Sequence, residues 1–393
     1  MAMNEMKKNS ELIFVPAPGI GHLVSSLEFA KLLVNTHANL SITVICIKFP
    51  GTLISDSYIK AALASEPHIQ LIDLPEVQRP PEELLKSPEF FILTFMESLI
   101  PHVKSAIQTI LSDKVVGLML SLQNRRIEDI FDDSDLDHQL LIHGFSIPVP
   151  FNVLPDAFFN KHGGYVAYYK FAERFRDTKG IIVNTFSELE QYSIDALSNH
   201  DEKVPPIYAA GPLLGLKGIS FVPSQIREIA LGLKNSGFRF LWTVKSPPEE
   251  FLEWMELEGK GMICEWAPQV EILAHKAIGG FVSHCGWNSI LESLWFGVPV
   301  LTWPIYAEQQ LNAFRMVKEL KLGVELRVDY RRGSDNVVAE EIEKGLKDLM
   351  DRDNIVHKKV EEIKEMARNA VANGGSSVIS VGKFIDNVLG SNL

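Results

Sequence analysis

Gly280-Phe281-Val282-Ser283-His284-Cys285-Gly286-Trp287-Asn288-Ser289 decides the fold: an apolar strand runs to Ser283, breaks at a histidine and a glycine, and gives way to a helix opened by Asn288 and Ser289. Parallel strands need crossover connections, and a strand that ends in a glycine-bearing turn and feeds a helix is the unit that supplies them. Gly286 permits close backbone approach, and the free N–H groups of the helix opening can hold phosphate oxygens. The same unit stands near the N-terminus, where Leu12 to Pro16 is apolar, Pro16-Ala17-Pro18-Gly19-Ile20-Gly21-His22 breaks it, and Ser25 to Leu33 has helical spacing. Apolar runs at Ile42 to Ile47, Ile69 to Leu74, Val115 to Leu122 and Gly180 to Asn184 extend the first sheet, with Phe238 to Val244 and Val298 to Trp303 beside the second. A helix is expected around Gln225 to Asn235. Ala339 to Asn387 is helical in pattern, broken at Gly374-Gly375-Ser376-Ser377 before a final short helix.

A chain of 393 residues exceeds what one hydrophobic core organises, which favours two domains. Pro205, Pro206, Gly211, Pro212, Gly215, Gly218 and Pro223 crowd helix and strand breakers into one stretch. The division expected is an N-terminal domain over 1–204, a linker over 205–223, a second domain over 224–375 and a C-terminal helix over 376–393. Hydrophobic residues make up 46% and charged residues 22%, the balance of a folded globular chain. A net charge of −12 argues against nucleic acid or anionic membrane as the main partner. Cys46, Cys264 and Cys285 form no Cys-x-x-Cys pair, which fits a reducing compartment. The polar start lacks the apolar core of a secretory signal, and no run of about 18 apolar residues appears, so no membrane span is expected and the location read is cytoplasmic.

Gly19-Ile20-Gly21 invites a dinucleotide reading, but the third glycine of that fingerprint falls at Val24, which removes the main support for a nicotinamide enzyme. His22 remains, at the carboxyl edge of a first strand, where open α/β sheets bind ligands. Asp133, Asp135, Asp137 and His138 resemble a calcium loop until the template is applied: its sixth position is His138 and its twelfth Gly144. A solvated acidic loop fits better. His275 and His284 lack the spacing of a zinc pair.

The span from Trp266 to Gln309 is the most informative of the chain. It holds Trp266-Ala267-Pro268-Gln269, His275, Gly279, Phe281, His284 to Ser289, Glu292, Gly297-Val298-Pro299, Trp303-Pro304 and Glu308-Gln309. Trp266 offers a flat face to a base, Glu292 sits one turn into the phosphate helix where it can accept from ribose hydroxyls, and Glu308-Gln309 supply the acceptor and donor groups a sugar needs. This span resembles the signature box of plant secondary-product glycosyltransferases, the plant family 1 UDP-glycosyltransferases, from its opening Trp to its closing Gln. The turn ending in His22, Gly211-Pro212-Leu213 and Gly374-Gly375-Ser376-Ser377 are similar to further segments of that family, closest to members acting on flavonoids and other phenolics.

The resemblance implies an α/β chain of the GT-B type, two facing Rossmann-like domains with parallel sheets, acceptor mainly on the first and UDP-sugar mainly on the second. It implies that Trp266 stacks on uracil, Ala267 bonds it through the backbone, Gln269 and Glu292 contact ribose, and His284, Asn288 and Ser289 hold the phosphates. Trp287, Glu308 and Gln309 then face the sugar, the final Gln pointing to glucose. His22 is the implied general base of an inverting transfer from UDP-glucose to a small phenolic, with no metal, in a monomer. Three departures accompany it, one of them an abbreviated stretch from Thr243 to Glu250. The strand Val115 to Ser121 carries no acid where the family places the histidine's Asp partner, and Gly215 to Pro223 runs almost directly to the next helix where the family has an acidic helix and the first strand of the second domain. A working glucosyltransferase and a relative that binds UDP-sugar without efficient turnover both remain open.

Overall fold

The computed structural model describes residues 10–18, 20–37, 39–48, 63, 66–110, 115–120, 139–200, 204–214, 223–245, 247–331 and 335–389. β1 (Ser10–Val15) is followed by α1 (Ile20–Thr36), β2 (Leu40–Cys46), β3 (Ile69–Asp73), α2 (Pro88–Ile110) and β4 (Val115–Leu120). The strands form one parallel sheet in the order β3-β2-β1-β4. Leu12, Ile13, Phe14 and Val15 are each at most 3% exposed, because β1 lies inside the sheet with a helix on either face. Leu12 and Phe14 join Leu23, Leu27, Ala30 and Leu33 of α1 in one core. Ile13 and Val15 join Phe95 and Leu99 of α2 in another.

The expectation of no span-like segment needs correction at α2: over Pro88–Gln108 it is long and apolar enough, by length and composition alone, to cross a membrane. Glu97 and His102 interrupt the unbroken run that the sequence reading sought, yet the average stays apolar because one side of the helix carries Phe91, Phe95 and Leu99 into the interior. α1 also starts earlier than Ser25, so His22 stands in the first turn of the helix itself.

A short ribbon, β5 (Gln139–Leu140) with β6 (Val149–Pro150), precedes α3 (Gly164–Phe175), β7 (Ile181–Val183), α4 (Ser187–His200) and β8 (Ile207–Ala209). β7 and β8 pair in parallel as a separate two-stranded sheet.

The second half runs α5 (Pro223–Ser236), β9 (Phe240–Thr243), α6 (Glu249–Glu258), β10 (Gly261–Cys264), α7 (Gln269–Leu273), β11 (Phe281–Ser283), α8 (Trp287–Phe296), β12 (Val300–Thr302), α9 (Gln309–Phe314), β13 (Gly323–Glu325), α10 (Ala339–Met350), α11 (Ile355–Val371) and α12 (Ser376–Leu389). All its strand pairs are parallel, in two groups, β10-β9 and β11-β12-β13. Among the described residues no strand hydrogen-bonds one group to the other. α12 leaves the second half and buries Val381, Phe384 and Ile385 in the core that holds α1 and β2, its Phe384 ring edge-on to Tyr208 at 5.5 Å. β5, β6, β8, β10 and β13, two to four residues each, have no counterpart among the expected strands.

Candidate active site

α1 and α8 open toward each other. His22, in the first turn of α1, keeps solvent contact, while the protein packed around it lowers its pKa from 6.5 by desolvation. The imidazole is therefore predominantly neutral at pH 7. Three residues on, Ser25 Oγ accepts a hydrogen bond from Asn288 Nδ2 at 3.2 Å, which joins the helix bearing His22 to the helix that the sequence reading assigns to phosphate.

No side chain caps the N-terminus of α8 at Gly286, so first-turn N–H groups are left for another partner. The turn before it is tightly specified. Cys285 is in the left-handed region at φ 64°, its N–H donating to Ser283 Oγ at 3.1 Å and its carbonyl accepting from Asn312 Nδ2 at 3.0 Å. A Cβ on Gly286 would lie 2.4 Å from His284 Nε2, so only glycine leaves that ring its place. Burial pushes the His284 imidazole down to about 4 and the Cys285 thiol up to about 12. Both are neutral at pH 7.

Gln269 opens α7 and reaches across to α8, its Nε2 donating to Glu292 Oε2 at 2.6 Å and to Ser289 Oγ at 3.0 Å. Glu292 is fully buried, so its carboxylate depends on such bonds. Trp266, 63% exposed, and Ala267 lie in the loop from β10 to α7, where the indole presents an open face. Glu308 stands at the N-cap of α9. Gln309 Oε1 accepts the N–H groups of Ile305 at 2.9 Å and Tyr306 at 3.1 Å, which commits the side-chain carbonyl to the loop. Desolvation raises the Glu308 carboxyl pKa. Tyr168 on α3 feels burial first and then the charges of Glu308 and Glu89, all raising its phenol.

The structure thus gathers Gln269, Ser289 and Glu292 into one cluster, and ties Asn288 to α1 and Trp287 to Asn184, whose carbonyl accepts the indole N–H at 2.8 Å. The position expected for the family's Asp follows β4, and Ser121 with the acidic loop Asp133 to His138 lies outside the described residues. Among the described residues no carboxylate hydrogen-bonds His22, and no group of three or more His, Cys, Asp or Glu is placed to hold a metal ion. His275 accepts from the N–H of Ala277 and has no part in the cluster.

Sequence reading missed residues whose partners are remote in the chain. Arg315 bonds Glu319 at 3.1 Å, and also Glu190 and the Gly144 carbonyl, and lies over the Phe145 ring. Arg331 pairs with Asp156 and bonds the carbonyls of Leu154 at 2.6 Å and Asn152 at 2.7 Å. Together they hold the stretch around 144–156 against the second half.

Comparison with known proteins shows the family. A family model described as UDP-glucoronosyl and UDP-glucosyl transferase matches residues 218–362. UDP-glycosyltransferase 71K2 of Pyrus communis is 42% identical over 482 residues, covering 98% of this chain and 99% of the relative. UDP-glucose flavonoid 3-O-glucosyltransferase 6 of Fragaria ananassa is 38% identical, covering 98% and 99%. The crystal structure of Medicago truncatula UGT71G1 complexed with UDP-glucose superposes with a TM-score of 0.93 at 65% identity, over 98% of this chain and 100% of that one. An alignment of 482 positions against 393 residues leaves at least 89 positions that this chain passes over. With identity above 40% across the whole length of a curated relative and a GT-B structure matched throughout, the chain belongs to the plant UDP-glycosyltransferases.

Proposed function

We propose that this chain transfers glucose from UDP-glucose to a hydroxyl of a flavonoid or related small phenolic, inverting the anomeric centre, with His22 as general base. The observation that carries the reading is the Asn288–Ser25 hydrogen bond, which sets the opening of the base-bearing helix beside the opening of the phosphate helix. His22 takes the acceptor's proton as its oxygen bonds to the anomeric carbon. The carbon–oxygen bond to UDP breaks with its electron pair leaving on the diphosphate, so an α-linked donor gives a β-glucoside. Charge on the leaving phosphate meets the free N–H groups and dipole of α8 and an N–H of neutral His284.

In this reading Trp266 stacks on uracil, Ala267 bonds it through the backbone, Gln269 and Glu292 take ribose, and His284, Asn288 and Ser289 take the phosphates. Trp287, Glu308 and Gln309 face glucose. No step calls on a metal, both helices come from one chain so a monomer suffices, and the enzyme works in the cytoplasm. The acceptor domain is 1–204, the linker 205–223, the donor domain 224–375 and the closing helix 376–393. The names of the relatives that use UDP-glucose and flavonoids support the substrate assignment.

A second reading, a UDP-sugar binder without efficient turnover, is favoured by the lack of a carboxylate on His22 among the described residues. Mass-spectrometric turnover with UDP-glucose and a panel of flavonols, dihydrochalcones and simple phenols, run beside His22→Ala, separates the two. A glucoside whose formation is lost in His22→Ala supports the transferase. Equal residual rates remove His22 from the mechanism, and UDP binding without product supports the binder.

A further inference from the structure

Asn184 stands immediately after β7, far from the donor box in sequence, and each polar atom of its side chain is engaged. Its Oδ1 accepts the N–H of Leu213 at 2.7 Å and its Nδ2 donates to the Leu213 carbonyl at 3.0 Å, so the amide pairs with the linker as another peptide group would. The second Nδ2 hydrogen goes to Asn288 Oδ1 at 3.1 Å, while the Asn184 main-chain carbonyl accepts from Trp287 Nε1 at 2.8 Å. The linker closes tightly around it: a Cβ on Gly211 would lie 2.4 Å from Asn184 Oδ1 and 2.8 Å from the Thr185 nitrogen.

The consequence falls on Asn288. With its Oδ1 held by the Asn184 donor, its own NH2 is directed the other way, onto Ser25 Oγ at 3.2 Å beside the opening of α1. Anchoring the linker needs only the two Leu213 bonds. The other two bonds fall on consecutive residues at the start of the donor helix.

We propose that Asn184 is a positioning residue for the donor site, fixing the Asn288 amide with its NH2 toward the cleft so that it can donate to the diphosphate of UDP-glucose. The proposal rests on the donor-site reading given above.

Asn184→Asp keeps shape and the acceptor for the Leu213 N–H, but it sets a carboxylate against Asn288 Oδ1, so the Asn288 amide has to turn and present oxygen to the phosphate. Calorimetric titration of the full chain with UDP, in wild type, Asn184→Asp, Asn288→Ala and the double variant, reads the effect. UDP affinity is expected to fall roughly tenfold in Asn184→Asp, about 1.4 kcal/mol. The KM for UDP-glucose rises in step, kcat stays within about twofold, and Asn184→Asp adds nothing in the Asn288→Ala background. Asn184→Ser, judged by the same criterion, replaces the Asp variant if that one loses the near-ultraviolet dichroism of the wild type. Unchanged UDP affinity in a folded variant, or additive effects in the double variant, overturn the proposal and leave the donor site standing. A wild type that takes no UDP overturns the donor-site reading and this proposal with it.

Discussion

A histidine serves as a base only above its own pKa, and desolvation moves that threshold at His22 below 6.5. For a working transferase, kcat/KM is expected to rise with pH through the lowered His22 value, so the acid limb lies below pH 6.5 and is absent in any residual rate of His22→Ala; a limb centred above 6.5 contradicts this. His284 writes its shift into stability. Its folded pKa of about 4 lies below the ordinary 6.5, so between those values the unfolded chain binds a proton that the folded chain refuses. Stability is therefore complete above pH 6.5 and is lost as pH falls toward 4, by about 3 kcal/mol across the window, read from denaturant midpoints and flattened in His284→Gln. Gly286→Ala puts its methyl where the His284 ring lies and is expected to weaken UDP binding at least tenfold, checked by calorimetry. His22, His284 and Gly286 were legible in the sequence because each stands where an apolar strand gives way to a helix. Asn184 and Tyr168 were not, since a single polar residue gives no sign of partners a hundred or more positions away.

At the scale of elements, buried charge binds the halves together. The side chains of Arg315, Glu190 and Glu319 are at most 12% exposed, so removing the guanidinium strands two carboxylates away from water. Arg315→Met is expected to cost roughly 3–5 kcal/mol in urea unfolding, with most of it recovered when Glu190→Gln and Glu319→Gln are added. A loss below about 1 kcal/mol would mean the cluster is solvated. β1, β2, β3, β4 and β7 were readable from continuous apolar runs, the mark of strands covered on both faces, and α1 from its helical spacing. β5, β6, β8, β10 and β13 were not, and the start of α1 was misplaced because glycine and proline around Gly19 read as a turn while the helix begins at Ile20.

For the whole molecule, the split sheets matter most. β9 and β11 each pair on one side among the described residues, and Leu241 and Val282 on them are 37% and 41% exposed. What crosses between the groups is helical: Gln225 of α5 and the main chain of Val337 exchange two hydrogen bonds at 2.9 Å, and Glu228 accepts the N–H of Ala339 at 2.8 Å, the start of α10. A ligand drawing on several elements of such a chain stabilises it by mass action. UDP at about 100 times its Kd is expected to add about 2.7 kcal/mol and raise the calorimetric melting temperature by several degrees. No shift at saturating UDP would remove the donor site from the reading.

The sequence by itself determined the α/β class, the alternation of strand and helix, the family, and the residue types of the donor box, because these depend on local periodicity and short spacings. The three-dimensional arrangement alone shows that Asn288 bonds Ser25, that Asn184 holds Leu213 and the start of α8 at once, and that the second-half strands pair in two groups. Those relations join residues separated by tens to hundreds of positions, and side-chain hydrogen bonds at that range follow from how the helices dock, which no local pattern encodes.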